Sequence, residues 1–567
     1  MTRRDQIKAI LRHVGLDRVI SRVRYVGRLA INHEFRRVEA KNRQEYREWR
    51  THRDLLNTPL GPAQGSRPRA LIVGKGTING AKVEVALLKG LELGGFTPVV
   101  LTDKRFAKYY RLAGVREFVH WEQFTEEPPV VEATALGEST RAVGDLLPFE
   151  HRGARVGKFA LSSTFRSLRT GRLDFSLAET RRTLANHLAE GMARAAASHR
   201  ILDRVRPDLV VFMGNRYSGH AELMDVAIDR GTDVLTWFDA HRSSALILKR
   251  YHKGNRDQHH ASLSDGTWNA LLQTSWSESD RRALHDEIAE SYASGDWYSR
   301  GGTQVNKKII GVAELRERLR LDPAKKTAVV FPHVVWDATL FWGTDLFNNY
   351  EDWLVETVRV AYANPSLNWV IKVHPVHVAK GAMERYTGEP REVVAIRERV
   401  GPCPPHVSII GADTDLNTFS LFGVMDYCLT VRGTIGVECA SRGIRVLTAG
   451  TGRYDHRGFT LDSDTPAEYL ERLSRLHTIP AMTPAERDLA ERYAYAAFLM
   501  RPLPLTSFVI EHDRDVEATM HVRVAARSVD ELRNAPDLRA LAAWAADATQ
   551  EDFLWQPSRP RALERPA

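Results

Sequence analysis

A chain of 567 residues with 43% hydrophobic and 27% charged residues has material for more than one buried core, which argues against a disordered or fibrous protein. Its three cysteines, Cys403, Cys428 and Cys439, are odd in number and clustered, which argues against a disulfide framework and fits a reducing compartment; no CxxC spacing suggests a metal site. The net charge of +9 has a location: residues 1–53 hold 15 Lys+Arg against 6 Asp+Glu, a difference that equals the excess of the whole chain.

That first stretch, with Ile7, Ile10, Leu11 and Val14 at helical spacing, predicts one or two basic amphipathic helices. Charges interrupt its apolar positions, so it does not read as a signal peptide, and no run of about 18 apolar residues follows anywhere. The expected location is cytoplasmic. The basic N-terminus either touches anionic lipids of the inner face or packs on its own domain. Nucleic acid is not an expected partner, because no aromatic-interleaved basic patch, zinc finger or recognition helix accompanies the charge.

A polar break at 58–69 precedes a clear βαβ unit over 70–104: a buried strand (70–73), a glycine-rich turn, a helix, a Gly-Gly stop and a second strand (98–102). Residues 125–190 are less decipherable. Strands are expected at 206–215 and 232–239, with a helix from about Gly219 to Arg230 between them. A second series begins near 326, with strands within 326–338, 367–375, 407–415, 424–433 and 444–450, and helices at 352–365 and 434–443. From about 480 the chain turns helical and closes in an Ala/Arg/Pro-rich tail expected to be loosely held. The predicted fold class is α/β, with two Rossmann-type domains facing a cleft. The expected units are a basic helical extension (1–66), a first, acceptor-binding half (67–310), a second, donor-binding half (311–480) and C-terminal helices with a tail (481–567).

Three constellations in the second half carry chemistry. In Thr430-Val431-Arg432-Gly433-Thr434-Ile435-Gly436-Val437-Glu438 a strand gives way to a helix start, where exposed N–H groups favour an anion. Gly433 lets backbone approach a phosphate, Thr434 offers a hydroxyl, Arg432 a bidentate fork, and Glu438 an acceptor for a ribose. The plain alternative is a helix cap with a solvated or paired glutamate. In Ile371-Lys372-Val373-His374-Pro375 the proline stops the strand and presents His374 at its C-terminal end, with Lys372 in period-two register. In Val335-Trp336-Asp337-Ala338, Trp336 is placed to stack on a base or sugar and Asp337 to bind a hydroxyl or act as a base. The alternative is a buried tryptophan beside a capping aspartate.

In the first half, 74–80 approaches a dinucleotide fingerprint but its third glycine comes one residue late. With Asp103 after the second strand, this keeps an NAD-dependent enzyme among the alternatives. Asn215, His220, Asp239 and His241 lie near strand ends and include candidates for an acceptor-side base. Two DxD-like triplets, 413–415 and 462–464, sit where aspartate caps helices and turns, and His259-His260 reads as a solvated loop. No metal or other cofactor is expected.

The run at 429–460, preceded by KVHP and FPHVVWDA, resembles the capsule polysaccharide biosynthesis family, which includes the bacterial β-Kdo transferases of capsule export. The similar elements are His374-Pro375, then Thr434, Gly436 and Glu438, then Gly452, Tyr454, Gly458, Phe459 and Thr460, over roughly 320–500. The first half matches only in layout. The resemblance implies a metal-independent GT-B glycosyltransferase that moves a sugar from a nucleotide-sugar donor to a lipid-linked or growing glycan. His374, Asp337 and Glu438 are then the catalytic candidates. The donor set is Lys372, Trp336, Arg432, Gly433, Thr434, Gly436 and Glu438, and the acceptor side draws on Gly76, Asn215 and Asp239. Many members carry Asn-Ser where this chain has Arg432-Gly433, an added charge that suits a diphosphate donor such as a UDP-sugar at least as well as a CMP-sugar. Polyol-phosphate transfer, sugar-nucleotide epimerisation and a non-catalytic donor-binding scaffold are the rival readings.

Overall fold

A computed structural model describes residues 33–61, 67–214, 216–298, 302–384, 388–512 and 520–556. The basic segment before residue 33, including Ile7, Ile10, Leu11 and Val14, lies outside them, as does Asn215. No helix among the described residues is long and apolar enough to cross a membrane.

Two sheets organise the chain. The first contains β1 (Arg69–Val73), β2 (Thr97–Leu101), β3 (Glu117–Val119), β4 (Leu209–Met213), β5 (Asp233–Asp239) and β6 (Ala245–Tyr251). The second contains β7 (Thr327–Val330), β8 (Asn368–Lys372), β9 (Val407–Ile410), β10 (Tyr427–Thr430) and β11 (Arg445–Thr448). In each, the first strand lies centrally, with the next two strands on one side and the fourth and fifth on the other. These five strands are parallel in both sheets. The order reverses beside β1 and beside β7, and an open α/β sheet has its crevice at such a point, beyond the C-terminal ends of its strands. This is the GT-B-like arrangement expected from the sequence.

Strand periodicity explains the layering. Ala70 and Ile72 of β1 enter one core while Leu71 and Val73 enter the core on the other face. In β7, Val329 and Val330 likewise divide between two cores. Both sheets are therefore covered on both sides, which is why their strands read as continuous apolar runs.

The chain does not fill its halves in sequence order. Residues 263–298, which the sequence places in the first half, contribute Trp268, Leu284, Ile288, Tyr292 and Trp297 to the core around Val329 and Val437 of the second. After the helix Pro484–Tyr495, a π-turn at Ala496–Met500 leads back to the first half, where β12 (Pro502–Pro504) pairs antiparallel with β6. The hairpin of β13 (Phe508–His512) and β14 (Met520–Val524) and the helix Pro536–Ala546 then pack into the first core through Phe508, Val522, Leu541 and Trp544. The expectation of a loosely held tail fails up to residue 556, and residues 557–567 lie outside the described ones. Alternating apolar residues in 508–524 and a Pro-started helix at 536 carry enough buried surface to order it. The crossover is pinned by Asp552, which pairs with Lys249 at 2.7 Å and with Arg501, all three side chains fully covered.

Residues 125–190 resolve into helices, chiefly Val130–Ser139, Val156–Leu168 and the start of Ala178–Val205, which cover one face of the first sheet. The helix His33–Thr51 also belongs to the first half: Trp49 is buried in its core and Glu45 pairs with Lys82 at 3.1 Å. Where it is described, then, the extension packs on its own domain. The two halves meet where Asp257 and His259 of the first reach the backbone of Gly343 (φ +55) and Gly452 (φ +95), two glycines of the second that are packed against each other. A Cβ on Gly452 would lie 2.8 Å from the Gly343 Cα. The amide of Gly343 donates to the carbonyl of Asp257, and that of His259 to the carbonyl of Gly452, both at 2.7 Å.

Candidate active site between the two sheets

The C-terminal ends of β7, β8 and β10 bring together His333, His374 and the start of the helix Thr434–Ser441. Each is presented because its strand is stopped: Pro332 precedes His333, Pro375 follows His374, and Gly433 caps the helix in an extended conformation. The amide of Val376 donates to Nδ1 of His374 at 3.1 Å, so the proton of the neutral ring rests on Nε2. Desolvation, with His377, Lys372 and Lys380 alongside, lowers the His374 pKa to about 3. His333 behaves alike: its Nε2 accepts from the Arg432 amide at 3.3 Å, its ring stacks on Tyr350, and desolvation with Arg432 and His374 nearby lowers it to about 3. Two neutral imidazoles, each with one donor N–H, therefore stand at adjacent strand ends.

Arg453 supplies the cation at this place. Its Nη2 donates to the Thr434 hydroxyl at 2.7 Å and its Nη1 to the Arg432 carbonyl at 3.1 Å, while the hydroxyls of Tyr298 and Thr434 lie 3.0 Å apart. A narrow pocket of about 30 Å³ opens beside Arg453, lined by Thr434, Val437, Arg453 and Tyr298 of the second half and by Asp239 at the end of β5 and His260 beyond β6. Thr434 and Asp239, expected on opposite sides of a cleft, thus share one pocket. Gly76 (φ +76) has open space around it, and Thr77 caps the helix Ile78–Leu93 that follows. His220 is exposed on the first half, whereas His241 is buried on Glu287 at 2.9 Å.

Several sequence expectations are corrected by burial. Arg432 does not reach the cleft: its side chain is 3% exposed and pairs with the buried carboxylate of Asp345. The charge that singles this chain out from the capsule family pattern is thereby neutralised beneath the turn. Glu438 is 2% exposed and accepts from the Tyr292 hydroxyl, with desolvation raising its pKa to about 7, so it faces the core and not a ribose. Gly436 makes room for Tyr454, whose hydroxyl would lie 2.1 Å from an added Cβ and donates to the Gly433 carbonyl. Lys372 is covered, donates to the Val373 carbonyl at 2.9 Å and sits near Lys307, and desolvation lowers its pKa to about 7. It acts on His374 through its field.

Trp336 follows its plain alternative, whereas Asp337 is neither the expected base nor a helix cap. Trp336 is 3% exposed and roofed by Lys380 at 4.7 Å from its ring. Asp337 accepts from Arg166, Lys380 and the Tyr217 hydroxyl, and its pKa is lowered, with desolvation opposing Lys380 and Arg166. A carboxylate so occupied is a poor base. It clasps the helix Val156–Leu168 of the first half to the second. His259 and His260 are not a solvated loop either: His260 stacks on Phe238 at 3.6 Å, and His259 packs against Trp342 at 4.3 Å.

Sequence reasoning missed His333, Arg453 and His260. The signal for His333 was its proline neighbour at a strand end, the same feature that marked His374. Arg453 stood between Gly452 and Tyr454 of the family-like run, and nothing local distinguished it. Among the described residues, no three His, Cys, Asp or Glu side chains gather as a metal-holding group.

No protein-family model matches the sequence, and no curated protein matches it. Similar solved structures include the β-Kdo 2,4 transferase of Thermosulfurimonas dismutans KpsC, 13% identical, covering 57% of this chain and 87% of that one, TM-score 0.31. The UDP-GlcNAc 2-epimerase from Neisseria meningitidis is 13% identical, covering 75% and 95%, TM-score 0.26. Spinosyn rhamnosyltransferase SpnG is 11% identical, covering 75% and 95%, TM-score 0.23.

Proposed function

We propose that the chain is a glycosyltransferase that takes a sugar from a nucleotide-sugar donor held by the second half and passes it to a glycan presented by the first. The observation that carries this reading is that His333 and His374 stand at adjacent strand ends of one parallel sheet with Arg453 near His333, and that Arg453 and the Thr434 helix start share a pocket with Asp239 of the first half. Neutral imidazoles donate N–H to phosphate oxygens without the cost of holding a buried charge, and Arg453 supplies the positive charge beside them. The helix start adds about 0.3–1 kcal/mol for an anion. As the bond from the anomeric carbon to the phosphate oxygen breaks, charge grows on that oxygen, and these preorganised donors stabilise it. Asp239 accepts the proton of the attacking hydroxyl, and Gly76 leaves space for substrate beside the backbone.

A capsule or other surface polysaccharide as product, a lipid-linked or growing glycan as acceptor, and contact of the basic N-terminus with anionic inner-membrane lipids complete the proposal; the sequence resemblance and the charge of residues 1–53 support them. The testing experiment is a thermal-shift series with CMP, CDP, UDP, GDP, ADP and NAD on the wild type and His374→Ala. The expected result is a shift with a pyrimidine nucleotide that the variant loses. No shift with any nucleotide, or one with NAD alone, would overturn the reading.

A further inference from the structure

A second, larger cavity lies along the same seam between the halves. It measures about 820 Å³, and five arginines line it: Arg141, Arg172 and Arg181 from the first half, Arg391 and Arg399 from the second. Only two carboxylates, Asp174 and Glu351, share the lining. Glu351 is already spent on Arg391 at 3.1 Å and Arg399 at 3.1 Å, and Arg399 also holds Asp352 at 2.8 Å. The first-half arginines make no such ion pair: Asp174 near Arg172 and Asp145 near Arg141 are taken up by Ser176 and by the amides of Arg141 and Ala142. Arg181 donates to the carbonyls of Phe175 and Ser176, Arg141 to those of Glu138 and Thr140, and Arg172 makes no guanidinium hydrogen bond among the described residues. Three guanidinium groups are thus gathered on one wall with their charge uncompensated by a carboxylate in contact.

The cavity is built by the docking itself. A Cβ on Gly171 would fall 2.5 Å from the Glu351 carboxylate and 2.9 Å from Val335, so the halves touch at its floor. Its position also ties it to the proposed site. Glu392, next to Arg391, accepts from the Val335 amide at 3.2 Å and bonds His377 at 3.0 Å, and the His377 amide donates to the His374 carbonyl.

We infer that this arginine-lined cleft binds an acidic oligosaccharide, a sugar chain bearing carboxylates, and that it holds the acceptor at a distance from its reacting end. The word acceptor rests on the proposed transferase activity; the binding does not. Planar guanidinium forks match carboxylates in pairs, and the volume lies within the range of sites that enclose small ligands. Leu173 and Phe175, the apolar side chains of the lining, are nearly covered, so neither presents a full face for an acyl chain or for stacking a nucleobase.

The test is titration calorimetry of the full chain with tetragalacturonate, with maltotetraose as a neutral chain of equal length, and with inorganic pyrophosphate. The variants are Arg141→Gln with Arg172→Gln, both exposed positions, and Arg172→Lys. Tetragalacturonate is expected to bind, maltotetraose not to bind, the double variant to lose at least tenfold in affinity, and Arg172→Lys to lose less. Equal binding of both sugars, an unchanged double variant, no tetragalacturonate binding, or binding of pyrophosphate alone would each overturn the inference. UDP and CMP titrations on the same samples separate the two readings. Arginine-dependent binding of the acidic chain without nucleotide binding keeps the cleft and removes the transferase, whereas nucleotide binding alone does the reverse.

Discussion

The two sheets share one strand order, yet their C-terminal edges are furnished differently. The edge of the second carries His333, His374 and Thr434 with Arg453 close by, while the edge of the first carries Gly74, Gly76 and Gly214. One edge holds hydrogen-bond donors; on the other Gly76 has open space around it, while Gly214 makes room for the Phe238 ring, 2.2 Å from where its Cβ would lie, and Gly74 for Thr102 and Tyr110. In the proposed reading the same topology serves gripping in one half and admission in the other, and what differs is the few residues after each strand. The halves differ also in closure. The second sheet ends at β11, whereas the first is completed by β12 from the far end of the chain.

The largest expected effect breaks that completion. Asp552→Ala leaves Lys249 and Arg501 buried without their counter-charge, and the loss in unfolding free energy is expected at about 3–5 kcal/mol, read by denaturant titration. A change under 1 kcal/mol would show that the crossover is not what holds the first sheet. Next, His374→Ala and His333→Ala each remove a donor from the gripping edge. About 2–4 kcal/mol of transition-state stabilisation is expected to go, seen as a fall in kcat with melting temperature little changed. The corresponding change on the other edge, Gly76→Ala, strains a positive φ and is expected to act on acceptor KM instead.

Glu438 sharpens the comparison through pH. Below pH 4.5 its carboxyl is neutral in both states. Between 4.5 and about 7 the unfolded chain gives up the proton while the folded chain keeps it, so stability falls as pH rises through that window. The full loss is at most about 3 kcal/mol. Glu438→Gln is expected to flatten this slope in urea titrations at pH 5 and 7.5; an unchanged slope would assign it to another group, such as Glu84. The smallest effect concerns the clasp. Asp337→Asn weakens partly exposed pairs with Arg166 and Lys380, with about 1 kcal/mol expected, and amide exchange around 166–171 should quicken while the sheets stay protected.

Much of this was legible in sequence because parallel strands buried on both faces write themselves as apolar runs. The strands expected within 70–73, 98–102, 367–375, 424–433 and 444–450 all form, and the helix at 434–443 starts where its glycine and threonine predict. His374 and Thr434 were legible because a stopped strand and a helix start announce themselves locally. Arg432, Trp336 and Glu438 were misplaced because sequence register says which way a residue points along its element, but not whether a partner from elsewhere covers it. Asp345, Lys380 and Tyr292 are those partners. β12 escaped notice for a related reason: a three-residue antiparallel addition depends on β6, about 250 residues away.

That distance has a consequence during synthesis. At about 5–20 residues per second, a ribosome needs roughly 10–50 s to travel from β6 to β12, and until then the β6 edge has no strand beside it. The second half, between them, can fold while the first waits. Nascent chains stalled with residue 500 just clear of the ribosome are therefore expected to show protease-sensitive sites across 67–262 and shelter across 311–480. An early-made half that is finished last is the one a cell must keep from pairing with its neighbours.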